Sequence, residues 1–301
     1  MMISHTLPPP PGRSCFRPSV PHWWCPRSSA SWYKLWPVLQ SLLPWHFACY
    51  VDNLRLVPGG PSNPAASPAG VSVRLGATLE PAHGDPRGGD GGGFSPWAAV
   101  AARLRQLGWG EELLDAHAYD WRRSPPLWAL PGGDYERLRA EVEAKVAASG
   151  RRVVLLGLSL GATYVTGFLS SRVVDAAWKE RHVERFVSKI GRSAAFWEAS
   201  LGAIEAAPPN VTTYCFYSYG LPSPVQVTFG QADFGDASPA VRYADGDVTA
   251  PHASLAACRV WAGRQVAPVH SISYYGVVHA QLTGLPEALQ DIVDAVSGLG
   301  G

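Results

Sequence analysis

A serine framed by glycines is the residue in this sequence whose setting most strongly suggests chemistry. Ser159 lies at the centre of Gly157-Leu158-Ser159-Leu160-Gly161. A serine hydroxyl becomes an effective nucleophile only beside a general base, and a carboxylate usually orients that base. The serine therefore requires a histidine and an acid from elsewhere in the chain. The competing interpretation is a serine that only packs between a strand and a helix.

Candidates for the acid and the base both follow the serine in the sequence. Asp245 and Asp247 lie in a turn after a predicted strand, although aspartate is common in turns for purely local reasons. His279 follows the last predicted strand, in the kind of loop where catalytic groups gather. His252 is close in sequence to the aspartates, and His270 lies inside a strand. We therefore prefer His279 as the base, while the choice between the two aspartates stays open.

The elements around these residues must bring them to one edge of a sheet. The apolar run 152–158 predicts a buried strand and the next residues predict a helix, so Ser159 occupies a sharp strand-to-helix turn. The helix N-terminus favours negative charge there, and the backbone N–H of Leu160 is available to an oxyanion. Further strands are predicted at 49–57, 71–75, 184–190, 211–219, 240–244 and 268–276, and further helices at 94–107, 134–150 and 287–298. Alternating strands and helices predict an α/β fold with a mostly parallel sheet.

Bulk composition excludes several classes of function. The 301 residues carry a formal net charge of +1, so the basic surplus typical of a nucleic-acid partner is absent. The sequence contains no run of about 20 apolar residues long enough to cross a bilayer. Residues 1–22 are rich in proline and lack the apolar core of a signal peptide. We interpret them as a disordered extension.

Five blocks of the sequence, taken in order, resemble the lecithin–cholesterol acyltransferase family, which includes lysosomal phospholipase A2-type and phospholipid:diacylglycerol acyltransferases. The blocks are AHAYDWRRSP (116–125), VVLLGLSLG (153–161), AWKERHVERFVS (177–188), YCFYSYGLPSPV (214–225) and YADGDVTAPHASLAACRVW (243–261). The resemblance implies an α/β-hydrolase domain over 50–301. It also implies Ser159 as nucleophile, Asp247 as acid and His279 as base; the choice of Asp247 comes from the resemblance.

The function implied by this resemblance is lipid O-acyl transfer. A fatty acyl group would move from a phospholipid, through an acyl-enzyme, to an acceptor alcohol such as a sterol or a diacylglycerol. No cofactor and no metal are expected. The partners expected are the two lipids and a membrane or lipid-particle surface. The alternatives are a phospholipase A or other lipid-ester hydrolase, and a truncated, inactive member that only binds lipid.

The resemblance also assigns the cysteines. It implies disulfides Cys25–Cys49 and Cys215–Cys258, whereas the alternative is unpaired buried cysteines. Disulfides imply an oxidising compartment, so we expect the secretory pathway, a vacuole or lysosome, or the extracellular space. The N-glycosylation sequon at Asn210 agrees with this expectation.

A loop rich in aromatic residues, at 23–49, is the predicted lipid contact. Large apolar side chains crowded into one loop are hard to bury, and tryptophan favours the membrane interface. The alternative is a helix packed on the domain. The resemblance assigns lipid contact to this loop, with Trp32, Trp36, Leu39, Leu42 and Trp45 as contact residues.

The sequence departs from the family pattern in three places. No match precedes Trp23 for the family's opening strand and its VPG loop, which supplies a second oxyanion donor. The block SLGAPWGG is replaced by SKIGRSAAFW at 188–197. The cap around 192–240, which covers the acyl site in the family, is expected to be shortened.

Overall fold

A computed structural model of the chain describes residues 2–4, 54–60, 63–68, 71, 73–76, 97–189, 207–230 and 239–298. The chain divides into two compact units, one of residues 1–95 with 114–134 and one of 96–113 with 135–301. The expected lipid-contact loop at 23–49 and most of the expected disordered extension at 1–22 lie outside the described residues.

The described residues form short strands near the N-terminus and a regular α/β pattern further on. The strands are β1 Met2–Ser4, β2 Val57–Pro58, β3 Ala65–Ala66, β4 Arg74–Gly76, β5 Val153–Leu158, β6 Val183–Lys189, β7 Thr213–Tyr219, β8 Leu221–Thr228, β9 Ala240–Gly246 and β10 Val269–Tyr275. The α-helices are α1 Ala98–Gln106, α2 Pro125–Trp128, α3 Asp134–Ser149, α4 Leu160–Leu169, α5 Ala176–His182, α6 His252–Leu255 and α7 Pro286–Ser297. Short 3-10 helices are Glu111–Leu113, Ala256–Gly263 and His279–Gly284.

The described residues of the first unit form two small antiparallel pairings. Strand β1 pairs with β4, and β2 pairs with β3. Residues 2–4, inside the segment expected to be irregular, therefore form a strand, and β4 overlaps the strand predicted at 71–75. Each of these strands has only two or three residues, which is too short for side-chain alternation to predict its bounds.

A buried aromatic and ionic cluster lies among the described residues of the first unit. The indole N–H of Trp128 donates to the backbone oxygen of Asp120 at 2.9 Å, and its ring meets the Tyr119 ring edge-on. The Asp120 carboxylate accepts from Arg122 at 2.7 Å, and the same Arg122 donates to the hydroxyl of Ser67. The AYDWRR block thus fixes the segment that contains β3.

The second unit is built on a parallel sheet of strands in the order β10-β7-β6-β5. These four strands correspond to those predicted at 268–276, 211–219, 184–190 and 152–158. Parallel neighbours must be joined by crossovers, and helices occupy several of the intervening stretches. A parallel sheet flanked by helices is the arrangement of the α/β-hydrolase fold, and the predicted fold class is confirmed.

Helix α4 lies in the core of this unit. Most of its residues are buried, as expected for a helix that is apolar on nearly every face. Phe168, fully buried, meets the rings of Trp178 and Tyr135 at centroid distances of 5.6 and 5.7 Å. Helix α3 ends where predicted, because Gly150 follows it with φ +67° and can adopt the left-handed conformation that stops a helix.

Strands β8 and β9 form a separate antiparallel ribbon between β7 and the turn that holds Asp247. The sequence predicts β9 but not β8. Pro222 and Pro224 lie within β8, and proline donates no hydrogen bond to a ladder, so the pattern does not indicate a strand. A two-stranded ribbon has only edge strands, which is where proline is tolerated.

No helix among the described residues combines the length and the apolar composition needed to cross a membrane.

Candidate active site

Ser159 sits in a strained turn between β5 and α4. Its φ is 52° and its ψ is −123°, a region that residues other than glycine seldom adopt. Its backbone N–H donates to the carbonyl oxygen of Lys189 on the neighbouring strand at 3.0 Å, which holds the turn. The hydroxyl does not cap the helix. It therefore stays available at the edge of the sheet.

The tight turn depends on glycine at position 157. A Cβ there would lie 2.7 Å from the Cα of Ala162, on the first turn of α4. The helix can therefore approach the strand only if this position has no side chain. The backbone N–H of Leu160 is the first of α4, one of the donors that have no acceptor within a helix. It is the donor predicted from the sequence to stabilise an oxyanion.

Asp247 follows β9 and its side chain is fully buried. One carboxylate oxygen, Oδ1, accepts from the backbone N–H groups of Thr249 at 3.0 Å and Ala250 at 2.8 Å. The other oxygen, Oδ2, lies 2.7 Å from Nδ1 of His279. Both oxygens are thus occupied, so the carboxylate has one orientation.

The turn that carries Asp247 is itself strained. Val248 has φ +79°, an unfavourable value for a β-branched residue. Its N–H donates to the buried hydroxyl of Ser223 at 2.7 Å, which holds this conformation. Position 246 requires glycine, because a Cβ there would overlap the backbone oxygen of Ala250 and the Ser223 hydroxyl. Ser223 and Gly246 are supporting residues that the sequence did not indicate.

His279 lies between the serine and the acid. Its backbone N–H donates to the backbone oxygen of Asp247 at 3.0 Å. Because a carboxylate can only accept, Nδ1 carries the proton that is donated to Asp247. The lone pair of Nε2 then faces the Ser159 hydroxyl, 3.2 Å away. The structure thus brings the three predicted side chains together in the order hydroxyl, imidazole, carboxylate.

The two other late histidines have different partners. The Nδ1 of His252 lies 2.9 Å from Oδ2 of Asp245, and its ring stacks on Tyr219. His270 stacks on Tyr214 with ring centroids 4.4 Å apart. Asp245, the aspartate that the residues alone did not exclude, therefore pairs with His252 and not with His279.

Lys189, which the sequence did not indicate as a site residue, contacts the main chain of both Ser159 and His279. It ends β6, is 1% exposed, and donates through Nζ to the backbone oxygen of His279 at 3.2 Å. Burial lowers the pKa of its ammonium to about 8, and the negative charge of Asp247 partly opposes that shift. The available signal was a lysine in the SKIG departure, shortly after the apolar pair Phe186 and Val187 of β6.

A disulfide joins Cys215 on β7 to Cys258 in the 3-10 helix that follows the acid turn, and both cysteines are buried. It ties that segment to the central sheet. Asn210 is exposed in the turn before β7. Cys25, Cys49 and the proposed lipid-contact residues lie outside the described residues: Trp32, Trp36, Leu39, Leu42 and Trp45.

The chemistry available to this arrangement is nucleophilic substitution at a carbonyl. The imidazole can accept the proton of the serine hydroxyl, the carboxylate can stabilise the imidazolium, and a helix N–H can stabilise an oxyanion. Within the described part of the chain, no cluster of three or more His, Cys, Asp or Glu side chains has the arrangement of a metal site.

A family model and individual relatives of the chain indicate the same protein family. The model of the family described as "Lecithin:cholesterol acyltransferase" matches residues 32–206. The human protein named lysosomal phospholipase A and acyltransferase is 25% identical over 334 residues, which cover 83% of this chain and 78% of that protein.

Sterol acyltransferases are similar to the chain to the same degree. Human phosphatidylcholine-sterol acyltransferase is 25% identical over 348 residues, covering 88% of this chain and 77% of that protein. Its counterpart from Gerbilliscus gambianus is 27% identical over 294 residues, covering 82% and 98%. The two human alignments are longer than the 301 residues of this chain, so both human relatives contain internal segments that it lacks.

Proposed function

The chain belongs to the lecithin:cholesterol acyltransferase family, and from that membership we propose that it is a serine-dependent lipid O-acyltransferase. Its catalytic residues are Ser159, Asp247 and His279. The observation that carries the proposal is the position of one imidazole, 3.2 Å from the serine hydroxyl and 2.7 Å from a buried carboxylate. Relatives that are named acyltransferases supply the reaction class.

The first half of the reaction forms an acyl-enzyme. The Oγ of Ser159 attacks the carbonyl carbon of a phospholipid ester while Nε2 of His279 takes the hydroxyl proton. Asp247 stabilises the imidazolium, and the backbone N–H of Leu160 donates to the oxyanion. The intermediate then collapses, its ester C–O bond breaks, and the leaving lysolipid oxygen takes the proton from His279. The acyl group is left on Ser159.

The second half transfers the acyl group to an acceptor. An alcohol loses its proton to His279, attacks the acyl-enzyme carbonyl, and displaces the Ser159 oxygen, which recovers the proton. Water in place of the alcohol gives a free fatty acid. The acceptor therefore depends on how well water is excluded from the acyl-enzyme. We propose a sterol or a diacylglycerol as the alcohol.

A covalent probe tests the nucleophile. A fluorophosphonate reagent should label the wild-type protein and fail to label Ser159→Ala. Ser170→Ala is the matched control, because Ser170 follows the same helix and donates to the backbone of Ala207, so labelling should persist. Labelling of Ser159→Ala at the wild-type rate contradicts the proposed nucleophile.

The acceptor is tested with labelled phosphatidylcholine in vesicles that contain a sterol, a diacylglycerol or neither. Acyl transfer yields a sterol ester or a triacylglycerol together with lysophospholipid. If free fatty acid is the sole labelled product in all three vesicle types, the result contradicts acyl transfer and shows hydrolysis instead.

Phospholipase A activity is the second candidate, and one observation favours it. The human lysosomal relative is named both a phospholipase A and an acyltransferase. The chain lacks internal segments that this relative has. If the absent segments include the cap around 192–240, water reaches the acyl-enzyme more easily. A member that binds lipid without catalysis is the third candidate, and the fluorophosphonate probe separates it from both enzymes.

We also propose that the protein acts at a lipid surface in an oxidising compartment of the secretory or lysosomal route. The Cys215–Cys258 disulfide and the exposed sequon at Asn210 support this location, and some relatives are named lysosomal. Trp32, Trp36, Leu39, Leu42 and Trp45 are the proposed lipid contacts, Cys25–Cys49 the proposed second disulfide and Asn210 the proposed glycan site. No cofactor or metal is required by the proposed chemistry.

A further inference from the structure

Lys189 is an unusual residue to find at the end of a central strand. Its register partners on either side are Leu158 on β5 and Phe216 on β7, neither of which can neutralise a charge. Removing an ammonium from water is costly, and burial lowers the pKa of Lys189 to about 8. A lysine in such a place requires specific polar contacts to offset this cost.

Two hydrogen bonds of Lys189, apart from those of the strand ladder, go to residues of the proposed active site. Its backbone oxygen accepts from the N–H of Ser159 at 3.0 Å. Its ammonium donates to the backbone oxygen of His279 at 3.2 Å. The N–H of His279 in turn donates to the backbone oxygen of Asp247 at 3.0 Å. These three hydrogen bonds, each accepted by a main-chain oxygen, join the nucleophile, the base and the acid independently of the bonds between their side chains.

We propose that Lys189 is a positioning residue: its ammonium fixes the main chain at His279 so that the imidazole stays between Ser159 and Asp247. This inference rests on the proposed function for its catalytic meaning. It adds a residue outside the serine, histidine and acid, on a different strand. It also gives a role to the SKIG departure, in which a lysine replaces the leucine of the family block.

Among the described residues, the groups that act on the charge of Lys189 come from two elements. From the loop after β9 the carboxylate of Asp247 acts on its charge, and from the last 3-10 helix the main chain of His279 contacts it. The neighbouring strands present Leu158 and Phe216, which do not titrate. Deprotonation of Lys189 therefore removes a positive charge opposite Asp247 and weakens the donation to His279.

Lys179 provides a matched control within the same chain. It is also buried, at 6% exposure, and its Nζ donates to the backbone oxygens of Leu169 and Pro209. Burial lowers its pKa as well. Neither of these partners belongs to the proposed active site. A general effect of removing a buried lysine should appear in both variants, whereas a positioning effect should appear only at Lys189.

The kinetic test uses Lys189→Met, Lys189→Arg and Lys179→Met, each confirmed as folded, with p-nitrophenyl butyrate as a soluble ester. Lys189→Met should lower kcat about 10- to 100-fold with little change in KM, the cost of a small misplacement. Lys179→Met should stay near wild type. Wild-type kcat should fall as the pH rises through about 8. Lys189→Arg, charged at every pH, should lose that alkaline limb and exceed Lys189→Met at pH 7.

A spectroscopic readout separates failure of this inference from failure of the proposed function. The Nδ1 proton of His279, held against Asp247, should give a far-downfield proton NMR signal in the wild type and in Lys179→Met. In Lys189→Met the signal should shift or broaden. An unchanged signal in that variant, with kcat within twofold of wild type, overturns the inference. A wild-type protein that neither hydrolyses the ester nor reacts with fluorophosphonate contradicts the proposed function instead, and the NMR comparison still decides the role of Lys189.

Discussion

Two aspartates separated by one glycine have different environments, and this difference gives a sharp test of the acid. Asp247 is fully buried against His279, whereas the side chain of Asp245 is 47% exposed and pairs with His252. Asp247→Asn should lower kcat for a soluble ester by about 10³–10⁴-fold, because an amide does not hold the imidazole in the required tautomer. The measurement is kcat at pH 7 for the folded variant.

Asp245→Asn is the matched control for that measurement. It makes the same chemical change two residues away, on a group with solvent access, and kcat should stay within about threefold of wild type. Equal losses in the two variants would contradict the assignment of Asp247 as the acid. A larger loss at Asp245 would make His252, and not His279, the histidine to examine.

The sequence predicted some of these side chains and missed others for identifiable reasons. Ser159 could be predicted from the sequence because a glycine-framed serine between an apolar strand and a helix is a local pattern. His279 could be predicted because it follows a strand. The residues did not separate Asp245 from Asp247, since both suit a turn and only tertiary contacts distinguish them. Lys189 was missed because nothing local shows that its ammonium meets a carbonyl 90 residues away.

The close packing of β5 against α4 beside Ser159 requires a residue without a Cβ at position 157. In Gly157→Ala the new Cβ would lie 2.7 Å from the Cα of Ala162, closer than real Cβ contacts. Relief requires β5 and α4 to separate, so we expect a loss of about 1–3 kcal/mol in the free energy of unfolding. The same shift displaces Ser159 and lowers kcat. Urea denaturation and ester hydrolysis measure the two effects.

Gly263→Ala is the control for this packing effect. A Cβ at position 263 would meet no atom within 4 Å. Its free energy of unfolding should lie within about 0.5 kcal/mol of wild type, with unchanged kcat. A Gly157→Ala protein as stable and as active as Gly263→Ala would show that the close approach of strand and helix is not required.

Elements were predicted well where hydrophobic pattern and packing agree. Strand β5 is an apolar run, and β6, β7 and β10 are rich in β-branched and aromatic residues, so the existence of all four strands could be predicted from the sequence. Strand β8 could not, because its prolines hide a ribbon whose pairing with β9 is set by tertiary context. The bounds of α1 were overestimated: the helix spans Ala98–Gln106, inside the predicted 94–107. Termini fray and depend on caps, which periodicity does not encode.

At the scale of the whole molecule, a disulfide cross-links the second unit, so the stability of the protein should depend on redox conditions. The Cys215–Cys258 bridge spans a sequence separation of 43 residues that contains β8, β9 and Asp247. Closing a loop of that length stabilises a protein by about 4 kcal/mol in the chain-entropy model. The double variant Cys215→Ala/Cys258→Ala should therefore unfold at a markedly lower urea concentration than the oxidised wild type.

Reductant supplies the control for this comparison, because it removes the bridge without changing the sequence. Reduced wild type should approach the stability of the double variant, and reductant should have no further effect through this bridge in the variant itself. The disulfide closes a loop that contains the turn of Asp247. Loss of the bridge should loosen that turn, so kcat should fall together with the free energy of unfolding. If Cys215 and Cys258 are alkylated in the untreated native protein, or if the double variant is as stable as wild type, the bridge does not stabilise this protein. In that case the two cysteines would not require an oxidising compartment.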